Sequence, residues 1–188
     1  QGPKARAVLE PLVSGIDLAG ASLPHMSVAH GQVCGVPAML FRVSFTGELG
    51  YEINVPADYG LEVWRAIWAS GQQHGLCAYG TESMHVMRAE KGYVIVGQDT
   101  DGTVTVDDAG LGWAVGRNKK DFLGMASMRK DALRAPTRKQ LVGLLTVNPA
   151  VVLEEGSQVA EHAGQRPPMK VIGHVTSSYH SAVLGRSI

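Results

Sequence analysis

The sequence predicts an α+β fold followed by a small, incomplete β-barrel, and three observations carry that reading. Residues 39–55 alternate with a period of two on both sides of a glycine turn, as half-buried strands do. Residues 58–71 and 81–91 space their apolar side chains with the helical period. Beyond Pro136 the pattern changes to short apolar or alternating runs between Pro- and Gly-bearing turns, the mark of a β-rich unit. These shifts predict one domain over residues 1–135 and a second, a truncated barrel, over 136–188.

Each element has a local reason. Ala5, Val8, Leu9 and Leu12 fall at i, i+3, i+4 and i+7, so residues 3–12 form a short helix begun near Pro3 and ended by Pro11. Residues 14–36 are rich in small residues, with a strand near 24–29. In the hairpin that follows, Met39, Phe41, Val43 and Phe45 alternate with Leu40, Arg42 and Ser44. Leu49, Tyr51, Ile53 and Val55 then alternate with Gly50, Glu52 and Asn54. Gly47 gives a tight turn its backbone freedom, and Glu52 falls on the polar face.

Over residues 58–71, Asp58 is placed to cap a helix whose stripe is Leu61, Trp64, Ile67 and Trp68, with both tryptophans expected in the core. Thr81 caps the next helix, Glu82 suits its first turn and Gly92 stops it. Residues 93–96 read as a strand, 97–102 as a polar turn, 111–115 as extended and 121–134 as a helix. Residues 134–139 form a linker, and strands follow at 141–147, 158–161 and 170–177.

Composition excludes several classes. Formal net charge is zero, which argues against an electrostatic nucleic-acid binder. No apolar run reaches the ~18 residues of a spanning helix, so no membrane partner is expected. Cys34 and Cys77 form no CxxC pair and no secretory leader precedes them, which points to a reducing cytoplasm. The seven histidines form no HxxxH or HExxH pair, so no metal site is expected. Residues 110–116 imitate a dinucleotide fingerprint with the wrong spacing, and no G-x-S-x-G elbow is present. The chain begins Gln1-Gly2-Pro3 without methionine and stops where a new apolar stretch begins. It therefore reads as an excised piece of a longer protein, with proteolytic maturation as the alternative.

Three blocks, in order, carry a family resemblance. Thr46-Gly47-Glu48-Leu49-Gly50-Tyr51-Glu52-Ile53 resembles the T-G-E-x-G-[YF]-E-[IV] segment of the aminomethyltransferase family, which includes the T-protein of glycine cleavage and the folate-binding regions of several flavin amine oxidases. Residues 88–99 resemble its R-[LM]-E-[AK]-G-x-x-x-x-G-x-[DE] block, and residues 109–113 its [AEG]-x-L-x-W segment. Together the blocks span roughly residues 35–125. The form of residues 80–93, with that of 41–51, is similar to the branch of the family in the α subunits of heterotetrameric sarcosine oxidases.

The resemblance implies a folate-binding fold and a set of residues. The family glutamate matching Glu52 hydrogen-bonds the pterin of tetrahydrofolate, whose ring N–H and exocyclic amine a carboxylate accepts side by side. Phe45, Tyr93 and Trp113 match aromatic positions near the ligand, where flat faces suit the pterin or aminobenzoyl ring. Phe45 stands where the family often has tyrosine. Met84 replaces the arginine that meets the glutamyl tail in glycine-cleavage T-proteins. The family's catalytic aspartate lies upstream of the first residue here, so no catalytic residue is assigned and the piece alone is expected to be inactive.

By the same resemblance, the whole enzyme would demethylate sarcosine to glycine, 5,10-methylenetetrahydrofolate and hydrogen peroxide. FAD, FMN and NAD would be bound elsewhere in the complex, and β, γ and δ subunits would be partners. The alternatives are an aminomethyltransferase, a dimethylglycine oxidase-type domain, or a non-catalytic assembly domain on the same fold.

Overall fold

The hairpin that closes tightly in this chain is one element earlier than the sequence pattern indicates. The computed structural model describes every residue except Arg117 and Gln165, and divides into two units, Gln1–Lys91 and Gly92–Ile188.

In the first unit β1 (Val13–Ser14), β2 (Ser27–Val33), β3 (Val36–Arg42) and β4 (Glu52–Asn54) form an antiparallel sheet in chain order. Val33 pairs with Val36, leaving Cys34 and Gly35 as a two-residue turn with φ of 55° and 77°. Two successive positive φ angles match the strand twist, and glycine accepts one of them without strain. β3 and β4 also pair, Phe41 opposite Glu52 and Leu40 opposite Ile53, but residues 43–51 between them form a broad loop and no tight turn. The loop is fastened sideways instead of zipped. The buried Thr46 hydroxyl donates to Gln1 Oε1 at 2.6 Å, Gly2 N–H donates to Leu49 O at 2.8 Å, and Lys91 pairs with Glu48 at 3.0 Å. Gly47 (φ 79°) runs against Lys91, whose Cγ would lie 2.6 Å from an added Cβ.

One sheet face makes the core. Val33, Val36, Ala38 and Leu40 are buried there, with Leu9 from α1 (Ala5–Leu9), Leu18 and Leu23 from the following loop, and Val63 from α2 (Gly60–Gly71). A one-turn 3₁₀ segment, Glu10–Leu12, completes the expected N-terminal helix.

α2 is rotated from the expected orientation, so that of the expected stripe only Ile67 lies inward. Val63, Ile67 and Gly71 lie inward, and the Ser70 hydroxyl bonds Val8 O at 2.7 Å. Trp64 is 58% exposed and stacks on Trp68, ring centroids 6.3 Å apart. Both stripes have helical spacing. The smaller one packs closer, and Gly71 leaves room for Leu76, whose side chain would collide with an added Cβ. Asp58 lies inside a 3₁₀ turn, Ala57–Tyr59, and makes no cap. α3 (Thr81–Glu90) has Gly80, not Thr81, at its N-cap, and Gly92 at φ 70° follows its end.

In the second unit several expected regular elements are irregular. Residues 93–96 are not a strand, because Asp99 N–H returns to Ile95 O at 2.9 Å and folds the segment into a turn. Residues 112–114 form one 3₁₀ turn where extended chain was expected. The helix expected over 121–134 is two short ones, α4 (Met125–Met128) and α5 (Asp131–Arg134), broken by the extended Lys130. Residues 141–147 form no strand. β5 (Gln158–Ala160) pairs with β6 (Val171–His174), and β7 (His180–Ser181) with β8 (Arg186–Ser187), each antiparallel. Among the described residues these sheets close no barrel, in agreement with an incomplete one. No helix among those residues is long and apolar enough to cross a membrane.

Gly31 of β2 tests the packing. An added Cβ would meet Ile16 Cγ1 at 2.5 Å and Ser14 O at 2.7 Å, whereas one at Gly60 meets nothing. Gly31→Ala is expected to cost ~1–3 kcal/mol in urea unfolding, and Gly60→Ala to be neutral or stabilising.

Candidate functional site

Glu52 is built from its neighbours. Tyr51 and Ile53, on either side, turn toward the core and pack against it. Tyr51 is held further by Arg6 Nε, which donates to its hydroxyl at 3.4 Å, and by the Arg42 guanidinium 5.5 Å from its ring centroid. Strand alternation then sends Glu52 to the other face, where it is exposed. Val28, Phe41 and Glu52 form one row across three strands, and His30, Met39 and Asn54 form the next row on the same face. Among the described residues, no hydrogen bond or ion pair engages the Glu52 carboxylate.

The face is not the polar one expected. Since Val36, Ala38 and Leu40 take the core side of β3, the apolar Met39 and Phe41 share the open side with Glu52. A carboxylate beside a half-buried Phe41 and the exposed Met39 and Val28 suits a flat, amide-bearing ligand: acceptor oxygens at one edge and an apolar floor. Sequence reasoning missed Phe41, Met39, His30 and Asn54 as companions of Glu52. The register would have identified them, but β3 is apolar on both faces and the pattern alone does not choose between them.

The aromatic residues expected at the site are all open. Phe45, 40% exposed, belongs to the 43–51 loop and not to a strand. Tyr93, 41% exposed, and Trp113, 76% exposed, belong to the second unit. Trp113 lies in the 3₁₀ turn, which Gly112 permits: a Cβ there would lie 2.6 Å from Asp107 Oδ1. Met84 is half-buried on α3.

Two buried carboxylates of the second unit were also missed. Asp99 lies in the expected polar turn. Asp108 accepts both oxygens' worth of hydrogen bonds from Arg138, whose Nε is 3.0 Å from each, while Arg138 Nη2 also reaches Thr103 O at 2.7 Å. Thr105 N–H donates to Asp108 Oδ2 at 2.8 Å, and Leu141 N–H donates to Asp108 O at 2.8 Å. The Arg138 hydrogen bonds hold the Asp108 carboxyl well below the ordinary carboxylate range, outweighing its burial. The expected linker at 134–139 is thus pinned through its one arginine after Pro136.

Residues 1–119 match the GCVT N-terminal domain, and residues 139–188 match the glycine cleavage T-protein C-terminal barrel domain. The chain belongs to the GCVT family. It is 47% identical over 192 residues to the sarcosine oxidase subunit alpha of Corynebacterium sp. (strain P-1), covering 99% of this chain and 19% of that protein. It is 36% identical to the sarcosine oxidase subunit alpha of Rhizobium meliloti (strain 1021), over 100% of this chain and 19% of that one. The aminomethyltransferase of Halothermothrix orenii is 33% identical, over 100% of this chain and 50% of its own length. The chain therefore spans about a fifth of the sarcosine oxidase subunits it matches. The resemblance read from residues 41–51 and 80–93 is borne out.

The Asp108 pair predicts an acid-limb signature. Its folded-state pKa lies below the ordinary value of 3.8, so its stabilisation is present above that value and is lost as pH falls toward the folded one. Urea midpoints are expected to fall more steeply below about pH 4 in the native sequence than in Asp108→Asn, whose overall stability is lower at pH 7. Parallel acid limbs in the two proteins would contradict this.

Proposed function

We propose that this chain is the folate-binding part of a sarcosine oxidase α subunit, where tetrahydrofolate captures the one-carbon unit released from sarcosine. The observation that carries the reading is Glu52, exposed and unengaged among the described residues, beside Phe41 on the open face of β2–β4. Its carboxylate accepts from the ring N–H and exocyclic amine of the pterin, and Phe41 gives the ring an apolar neighbour. Phe45, Tyr93 and Trp113 are proposed as further aromatic contacts to the ligand.

A flavin held elsewhere in the complex supplies the two-electron oxidation of the N-methylamine, with oxygen reduced to hydrogen peroxide. N5 and N10 of tetrahydrofolate take the resulting one-carbon electrophile, leaving glycine and 5,10-methylenetetrahydrofolate. Holding both nucleophilic nitrogens near the arriving carbon is a proximity effect, which needs binding residues and no acid or base from this chain. FAD, FMN and NAD are assigned to the rest of the complex, and β, γ and δ subunits to its assembly in the cytoplasm. The division into domains 1–135 and 136–188 is part of the same proposal.

One observation favours a second reading. Met84, where T-proteins carry the tail-binding arginine, cannot pair with a glutamyl carboxylate, and an assembly domain would tolerate it. Calorimetric titration of tetrahydrofolate into this chain and into the full-length subunit separates the two. Glu52→Gln in the full-length subunit is expected to weaken binding by roughly 1.5–3 kcal/mol, the scale of a hydrogen bond to a charged group. Unchanged affinity in the folded variant would remove Glu52 from the site. Absence of binding in a well-folded full-length subunit would favour the assembly reading.

A further inference from the structure

Asp99 collects donors from two distant stretches of chain. It is only 7% exposed. Its Oδ2 accepts from Ile95 N–H at 2.9 Å, while Oδ1 accepts from the Thr176 and Ser177 hydroxyls, each at 2.7 Å. The neighbouring Gln98 Nε2 lies 2.9 Å from Glu155 Oε1, 3.1 Å from Ser177 Oγ and 3.1 Å from Tyr179 Oη. Tyr179 is tied in turn by backbone hydrogen bonds with Ile188 at 3.0 and 2.9 Å. Asp99 lies within the stretch matching the N-terminal domain of the family, and Thr176, Ser177 and Tyr179 within that matching the C-terminal barrel.

We propose that Asp99 is a positioning residue: it locks the C-terminal barrel segment at Thr176 and Ser177 to the segment carrying Tyr93, so that the barrel sets the folate wall without touching the ligand. The inference rests on the folate reading given above. Ile95, whose N–H Asp99 holds, is two residues from Tyr93, which is 41% exposed and belongs to the proposed folate wall. The Ile95 N–H and the Thr176 and Ser177 hydroxyls converge on Asp99, whose two carboxyl oxygens accept from them. An asparagine has a single acceptor oxygen: turned toward Ile95 N–H it makes both hydroxyls reverse from donors to acceptors, and turned toward the hydroxyls it leaves the buried Ile95 N–H facing an NH₂. The Thr176 and Ser177 hydroxyls both donate to Asp99 Oδ1, and Ser177 Oγ also accepts from Gln98 Nε2, so it joins the two neighbouring side chains.

The test uses the full-length subunit in its assembled complex, with Thr176→Val and Ser177→Ala combined. Neither residue belongs to the proposed folate wall. The double variant is expected to raise the Kd for tetrahydrofolate about tenfold, leave folate-independent formaldehyde release within about twofold, and speed amide exchange at Ile95. Thr176→Ser, which keeps its hydroxyl, is expected to behave as the native protein and checks that any loss is not a folding failure. Unchanged exchange at Ile95 in the folded double variant would overturn the lock, whatever folate does. Faster exchange with unchanged folate affinity would overturn the positioning role. A native complex that binds no tetrahydrofolate would instead defeat the folate reading itself, and the positioning role with it, while exchange at Ile95 still reports on the lock.

Discussion

The register of β3 against β4 is the constraint on which the account of Glu52 depends. Phe41 faces Glu52 and Leu40 faces Ile53, and a slip of one residue would send Glu52 into the core and Ile53 to water. The slip is prevented from three directions. Leu40 is fully buried, Tyr51 is held by two arginines, and the two-residue turn at Cys34 and Gly35 fixes β3 against β2 before β4 arrives. The broad 43–51 loop contributes little to that register by itself. It is held instead by contacts to Gln1, Gly2 and Lys91.

The two units rely on different physics. The first has a leucine- and valine-rich core, whose apolar burial is non-directional and tolerant. In the second, the buried side chains are mainly polar: Asp99, Asp108, Ser178, Ser181 and Ser187 beside Ala109 and Tyr179. Hydrogen bonds of this kind add modest net stability when made and are costly when one partner is removed. Such a unit is specified by geometry at a few points, and those points are the ones that couple its early and late stretches.

The sequence pattern was legible where one periodic signal had no competitor. The N-terminal helix, α3, the stop at Gly92 and the β5–β6 strands stand where the residues indicate. Helix α2 stands where the period indicates but is rotated, because Leu61, Trp64, Ile67 and Trp68 make as good a stripe as Val63, Ile67 and Gly71, and Ile67 is common to both. The strand expected at 93–96 and the extended run at 111–115 failed for a different reason. Ile95 N–H donates to the Asp99 carboxylate, and Ala114 N–H and Val115 N–H return to Leu111 O and Gly112 O, local bonds whose effect no hydropathy period records. Glu52 itself comes from the resemblance, and it lies exposed on the open sheet face. Its apolar companions on the open face required the register.

The most direct measurement is a crystal structure of the full-length subunit with tetrahydrofolate bound. The account predicts the pterin ring N–H and exocyclic amine within hydrogen-bond distance of the Glu52 carboxylate, with Phe41 against the ring. A folate seated elsewhere, with Glu52 facing solvent, would contradict it.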